Sequence, residues 1–379
     1  MADGPAIEQL LAGRGVRPVV NAVGTWTMYG AAPASAEAAE ATTWSLGRSF
    51  VMAELQAAAS TVIARATGAE AGCVTACSAS GVALAIAACI TGADPALVRR
   101  LPDTSGLSAD VVMLKSHVID FGADVRQMAR LAGAHVVEAG PATHCGRNEL
   151  EAAFTPQTAA VLYVVSHLCV QRGQPSLADV VDAAHARGVP VVVDAAAEYD
   201  LEGFHRAGVD LVVHSAHKFL VGPTAGLVAG RAALIEAVRA QDRGIGRPMK
   251  VGKEGIVGLI AALERWRALD LDGQRQRDRA KLARAAELLG NLPGLVTELE
   301  PDTTGNPTDR LRVHVDPTAA GLDAAALGAA LREGPTAFVV RDHLADLGYV
   351  LIDPRNLDEA AMDLLTDRIA AVTTAARKR

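Results

Sequence analysis

Two residues stand where a solvated surface charge is a poor explanation. Asp194 closes the apolar run Val191-Val192-Val193, and a second apolar run, Val209 to Val213, leads through Ser215 and His217 to Lys218 and a Gly/Pro-rich turn. An ammonium set directly after an apolar run is costly unless it is paired or gives up its proton. Such an amine suits Schiff-base chemistry with an aldehyde. Pyridoxal phosphate needs a lysine of this kind, an acid at its ring nitrogen, hydroxyls or helix-end amides for its phosphate, and a flat group over the ring. Asp194 is the candidate acid, and Ser215 could reach the phosphate. The usual role of an aspartate is a surface ion pair, yet a carboxylate abutting three valines is poorly solvated.

These residues need elements that bring them together. Short apolar runs ending in a polar residue suit buried parallel strands, whose carboxyl ends line the ligand crevice of an α/β sheet. The 24 positions from Asp194 to Lys218 fit one helix between two adjacent strands. Val111 to Leu114, ending in Lys115-Ser116-His117, reads as a strand, as do His135 to Glu138 and Val161 to Val165, which ends in Ser166 and His167. Helical stretches at Gly122 to Leu131 and Ala178 to Arg187 alternate with them, as βα units require. Cys77, Ser78, Ala79, Ser80 and Gly81 stand where a loop becomes a helix, so free amides and small side chains would admit a phosphate. Ser80 alone reads as an N-cap; beside Lys218 and Asp194 in one chain it is assigned to the phosphate. Cys77 reads as packing within that loop. His214 and His217 are three apart, but no third ligand accompanies them and no metal is expected. His117 alone reads as a hydrogen-bonded core histidine, and Ser166 as either pocket lining or a strand-end cap.

The stretches SAHKFLVGPTAGLVAG and VVVDAAAE, with NAVGTWTMYG (Asn21 to Gly30), CSASGVALAIAACITG (Cys77 to Gly92), KSHVIDFG (Lys115 to Gly122), GIGRPMKVGKEGIVGL (Gly244 to Leu259) and the pattern from Arg332 to Leu357, resemble the SelA-like branch of fold-type I pyridoxal phosphate enzymes. That branch groups selenocysteine synthase with D-glucosaminate-6-phosphate ammonia-lyase and related lyases. The resemblance implies an α/β fold with a mainly parallel large domain and a small α+β C-terminal domain, pyridoxal 5'-phosphate as cofactor, and at least a dimer. It makes Lys218 the cofactor lysine and base, Asp194 the partner of the ring nitrogen and His117 the stacking group, and it adds His217 to the cofactor-binding set. It also places Asn21 and Thr25 near the substrate, gives Arg341, ahead of Arg355, the substrate carboxylate, and lets the loop carrying Arg247, Lys250 and Lys253 reach a neighbouring subunit's site. The expected reaction is α,β-elimination from an amino acid or amino sugar acid with release of ammonia and a 2-oxo acid. Racemisation, selenium or sulfur transfer to an activated serine, and a non-catalytic scaffold are the alternatives; a scaffold should have lost Lys218 or Asp194.

The 379 residues are enough for two subdomains, expected as an arm at 1–48, a large domain at 49–262, and a connecting helix with the small domain at 263–379. A charged helical stretch from Leu259 to Leu289 serves as the connection. Aromatic residues make up only 3%, so Ala, Val and Leu must fill the core. The net charge of −7 argues against a general nucleic-acid role. The first matching block begins near Asn21, so the N-terminal tRNA-binding region that the resemblance gives to the selenium transferases is not expected here. No apolar run approaches a membrane span and the N-terminus does not read as a secretory signal, so a cytoplasmic protein is expected. The five cysteines show no metal spacing and read as reduced, mostly buried thiols.

Overall fold

The computed structural model describes residues 4–378. Twelve strands run in chain order: β1 (Val19–Ala22), β2 (Ala71–Thr75), β3 (Asp110–Leu114), β4 (His135–Ala139), β5 (Thr158–Val164), β6 (Val191–Asp194), β7 (Leu211–Ser215), β8 (Gly226–Gly230), β9 (Leu295–Pro301), β10 (Asp309–Val315), β11 (Ala337–Val340) and β12 (Tyr349–Ile352). They belong to two compact units, Pro33–Leu269 and the remainder of the chain on either side of it.

The larger unit is built on a seven-stranded sheet of order β2-β8-β7-β6-β5-β3-β4. β7, β6, β5, β3 and β4 are parallel, while β8 runs antiparallel to both β2 and β7. The valine runs have no exposed face, as befits strands covered on both sides: Val191, Val192, Val193, Val212 and Val213 are all fully buried. Alanine and glycine allow close layers. In helix Ser78–Thr91, Gly81 presses so near the sheet that a Cβ there would lie 2.8 Å from Val213 Cγ1. β2 is an edge strand, and helix Met52–Thr67 closes its outer side. Gln56 Nε2 donates to Val74 O (2.9 Å), Val74 N–H donates to Gln56 Oε1 (3.0 Å), and Gly72 N–H donates to Ser60 Oγ (3.0 Å). Side chains thereby occupy backbone groups that a second strand would otherwise pair with.

The smaller unit contains an antiparallel sheet of order β12-β10-β9 and a parallel pair, β1 and β11. Its core gathers Leu282, Leu289, Leu311, Val313, Leu365 and Ile369 from the sheet and from helices Leu271–Gly290 and Glu359–Ala376. The boundaries differ from those expected. The arm up to Ala32 is part of this unit because β1 pairs with β11 from Val19↔Ala337 to Ala22↔Val340. Helix Ala36–Leu46 belongs instead to the larger unit and packs along helix Lys253–Arg267. The expected single helix from Leu259 to Leu289 is two helices, broken at residues 268–270, where Asp270 caps the second by accepting from Gly273 N–H (2.9 Å).

Candidate active site

The parallel register carries the chemical residues to one edge of the sheet. Val164 pairs with Asp194 and Asp194 with Val213, while Ser215 and Thr75 both pair with Gly226. Lys218 follows β7 in a loop closed by Ala216 N–H donating to Ala225 O (2.8 Å) and Gly222 N–H donating to Ala216 O (2.8 Å). Burial raises the Asp194 pKa above the ordinary carboxylate value, opposed by the Lys218 charge and by the Ala196 amide, which donates to Asp194 Oδ1 at 3.1 Å. An acid in poorly solvated surroundings beside a lysine is suited to sharing a proton with a ring nitrogen. The next turn is strained: Val221 has φ 49°, a left-handed conformation that costs a residue bearing a Cβ roughly 1–2 kcal/mol.

Atoms at the end of β7 await a partner. Ser215 Oγ and His217 Nδ1 are buried and make no hydrogen bond among the described residues, a state that buried polar atoms rarely keep. They flank Ala216 on the approach to Lys218, where a phosphate-bearing cofactor could engage them. The loop-to-helix junction lies at the same edge because Gly226 permits it: a Cβ there would stand 2.4 Å from the Cys77 carbonyl. Cys77 is the N-cap, its Sγ accepting from Ser80 N–H at 3.4 Å. Ser80 Oγ accepts from Cys77 N–H (3.0 Å) and donates to Cys77 O (2.8 Å). The Ser80 hydroxyl therefore serves the helix cap, the first of its two sequence readings. The amides of Ser78 and Ala79 belong to the first turn, where a helix offers no internal acceptor.

His117 is buried, with Nδ1 accepting from Val164 N–H at 3.2 Å and its ring edge-on to Tyr163 at 4.4 Å between centroids. Burial lowers its pKa to about 4. The ring is thus neutral, protonated on Nε2 and fixed in orientation. Ser166 acts as a turn cap, its Oγ accepting from Leu168 N–H at 3.2 Å. Sequence reasoning did not single out Tyr163, nor Glu198, a buried carboxylate four residues beyond Asp194 in the same DAAAE stretch. It also missed the aromatic cluster behind the lysine loop, where Phe219 meets Tyr199 at 5.2 Å and Trp266 at 5.0 Å. Of these, only Glu198 carries a signal in residue order, four positions after Asp194. Burial pushes the Cys73, Cys89 and Cys169 thiols up to about 12, leaving them protonated at neutral pH.

In the smaller unit Arg341 is buried, with Nε donating to Val23 O at 2.9 Å and its guanidinium 5.7 Å from the Trp26 ring centre. Among the described residues it forms no ion pair, and burial lowers its pKa to about 10. Arg355, the other candidate, is bonded to Asp353 at 2.8 and 2.7 Å, and Arg310 bridges Asp353 (3.1 Å) and Asp302 (2.8 Å). Asn21 holds the arm: Nδ2 donates to Gly24 O and Ala31 O at 3.2 and 3.1 Å, and Oδ1 accepts from Val23 N–H at 3.0 Å. Both N–H groups and one oxygen lone pair of its side chain thus serve the turn, the ordinary role of an asparagine there. Thr25 is buried.

Lys218 and Asp194 do not line the cavity of about 1010 Å³ that lies along the outer edge of β2. Arg99, Arg239, Arg243, Arg247 and Lys250 line it, and none of the five makes an ion pair or a side-chain hydrogen bond among the described residues. Lys253, also in its wall, donates to Leu46 O (3.0 Å) and to Arg48 O.

A mainly parallel sheet whose carboxyl edge bears an acid, a lysine and a helix N-terminus defines the fold-type I class of pyridoxal phosphate enzymes. Aspartate aminotransferase from Thermus thermophilus shares the fold, with TM-score 0.56 and 18% identity over 97% of this chain and 95% of that one. The profile of the SelA family, L-seryl-tRNA selenium transferase, matches residues 51–284, and the chain belongs to that family. It is 38% identical to D-glucosaminate-6-phosphate ammonia lyase of Salmonella typhimurium, over 94% of this chain and 96% of that one. A solved D-glucosaminate-6-phosphate ammonia-lyase structure matches with TM-score 0.88 and 37% identity, covering 97% of this chain and 99% of that chain. Identity to the 5'-C-glycyluridine monooxygenase-decarboxylase of a Streptomyces species is 36%, over 94% and 90% of the two chains.

Proposed function

We propose that this protein is a pyridoxal phosphate-dependent ammonia-lyase that eliminates a β substituent from an amino sugar acid or a related amino acid. The observation that carries the reading is Asp194 held in poorly solvated surroundings within the influence of the Lys218 charge, on a chain similar nearly end to end to an ammonia lyase. Lys218 would hold the cofactor, Asp194 its ring nitrogen, and the Ser78 and Ala79 amides with Ser215 its phosphate; His117 would lie against the ring and His217 beside it. When bound, the cofactor withdraws electrons from the substrate's Cα.

The protein's own groups then supply the proton traffic. Lys218 Nζ removes the α proton, and as an ammonium it returns a proton to the departing β hydroxyl. The C–H and C–O bonds break, water leaves, and hydrolysis of the resulting enamine gives ammonia and a 2-oxo acid. A two-base racemase needs a second base opposite Lys218. His117 does not provide one, because Val164 N–H occupies Nδ1 and the proton sits on Nε2. Arg341, a buried cation that forms no ion pair of its own among the described residues and lies only within the longer-range field of Asp353, is the candidate for the substrate carboxylate. The protein would work in the cytoplasm as a dimer or multiple of dimers, with Arg247 and Lys250 offered to a neighbouring subunit.

The similarity to the monooxygenase-decarboxylase supports a second reading, in which dioxygen oxidises the amino acid: the Cα–carboxylate bond breaks with loss of carbon dioxide, one oxygen atom enters the product as an amide carbonyl and the other leaves as water. One experiment separates the two. Holoenzyme is screened against phosphorylated and free amino sugar acids and β-hydroxy amino acids in an oxygen electrode, with ammonia, 2-oxo acid and carbon dioxide measured. Equimolar ammonia and 2-oxo acid without oxygen uptake is expected; oxygen uptake matched by carbon dioxide would establish the second reading.

A further inference from the structure

We infer that Val221 is a positioning residue for Lys218, its side chain stiffening the loop that presents the amine; the inference rests on Lys218 being the cofactor lysine. Among the described residues seventeen glycines have positive φ, and only Ala31 and Val221 do so without being glycine. The chain thus places glycine almost wherever the left-handed region is needed, and departs from that habit three residues after Lys218. For a β-branched residue this conformation is a true outlier. Strain of this kind persists only where the surroundings over-determine the backbone.

The surroundings of Val221 do so. Its N–H donates to Lys218 O (3.2 Å), and its own carbonyl accepts from Ser35 N–H (2.7 Å). Ser35 is the N-cap of helix Ala36–Leu46 and so is fixed itself. Beneath the loop, helix Lys253–Arg267 is in close contact: a Cβ on Gly258 would lie 2.3 Å from Thr42 Oγ1 and 2.6 Å from Pro223 Cγ, and one on Gly222 would lie 3.1 Å from Ala262 Cβ. The loop therefore has little room to shift as a body, and the remaining freedom is torsional. Glycine at 221 would accept the same φ but would also roam over both halves of the map. Once these contacts hold φ positive, a residue with a Cβ has only the narrow left-handed well on that half of the map, and the Val221 N–H in that well is tied to the carbonyl of Lys218 by a hydrogen bond.

The test compares V221G and V221A with the native apoprotein. Capture of pyridoxal 5'-phosphate is followed by visible absorbance, the product is fixed with borohydride and mapped by peptide, and amide exchange of residues 217–222 is measured before cofactor is added. V221G should keep or raise the thermal midpoint, because it relieves strain, yet its loop amides should exchange faster and its capture should slow by about tenfold, as loss of orientation implies. V221A keeps the Cβ and should capture within about threefold of native on the same argument. Capture by V221G within twofold of native, an equal loss in V221A, or a midpoint for V221G below that of V221A would each overturn the inference. If native protein is labelled at another lysine, the assignment of Lys218 fails; if native is labelled at Lys218 and V221G is indifferent, only the role of Val221 fails.

Discussion

At the scale of single residues the site is a matter of solvation. As candidates, Asp194 and Lys218 were legible in the sequence because each stands next to an apolar run, and poor solvation beside such a run is a property that sequence order conveys. Asp194→Ala should leave the thermal midpoint close to native while turnover falls by about 10²–10⁴-fold, the usual worth of a positioned proton. Steady-state kinetics with saturating cofactor checks this, and native-like turnover with unchanged cofactor affinity would make Asp194 structural only. The sequence was least informative where a side chain serves its own backbone. Ser80 and Asn21 have the chemistry of ligands, but their hydrogen-bonding atoms are engaged by Cys77 and by the arm carbonyls. Nothing in residue type separates a cap from a ligand; only the geometry of the neighbouring amides does.

Elements convert those residues into a constellation, and their close approaches rest on glycine. Gly226 is the clearest case, since a methyl group there would collide with the Cys77 carbonyl at 2.4 Å and push the helix N-terminus away from β8. Gly226→Ala should therefore weaken binding of pyridoxal 5'-phosphate much more than binding of pyridoxal, which lacks the phosphate. Fluorescence titration of folded apoprotein with both compounds reads the difference; equal losses would mean the helix N-terminus does not face the phosphate. In the smaller unit Asp353 has the corresponding structural place. Burial alone would raise its pKa, but Arg355, Arg310 and Arg341 hold it well below the carboxylate range. Its contribution to stability is therefore fully present above the unfolded value of about 3.9, declines progressively as pH falls below it, and is gone only once pH passes the much lower folded value. Asp353→Asn should destabilise this unit by about 3–5 kcal/mol at neutral pH, because it strands the buried cations. Urea unfolding at pH 7 and pH 3 should show the gap between native and variant narrowing in acid, and a gap independent of pH would contradict the assignment. The βα alternation was legible from periodicity, but the pairing of β1 with β11 was not. Residues 19–22 and 337–340 are joined by a register that no local pattern announces.

For the whole molecule the remaining question is which branch of the family's chemistry the chain follows. A protein handling an aminoacylated tRNA must hold a polyanion, and its affinity should fall steeply with salt as counterions are released. This chain carries a net charge of −7, with 43 acidic residues against 36 basic ones. Five cations that make no ion pair among the described residues, Arg99, Arg239, Arg243, Arg247 and Lys250, line one cavity of about 1010 Å³ rather than an extended track for a nucleic-acid backbone. Similarity to the Salmonella ammonia lyase extends over 96% of that protein, so the two chains share nearly their whole length. The expected result is that tRNA binds no tighter than roughly 10⁻⁶–10⁻⁴ M at physiological salt, the range of non-specific association. A gel-shift titration with bulk tRNA and with seryl-tRNA at two salt concentrations measures it. Submicromolar, salt-sensitive binding would revive selenium or sulfur transfer, because a lyase acting on a free amino sugar acid has no use for such a surface.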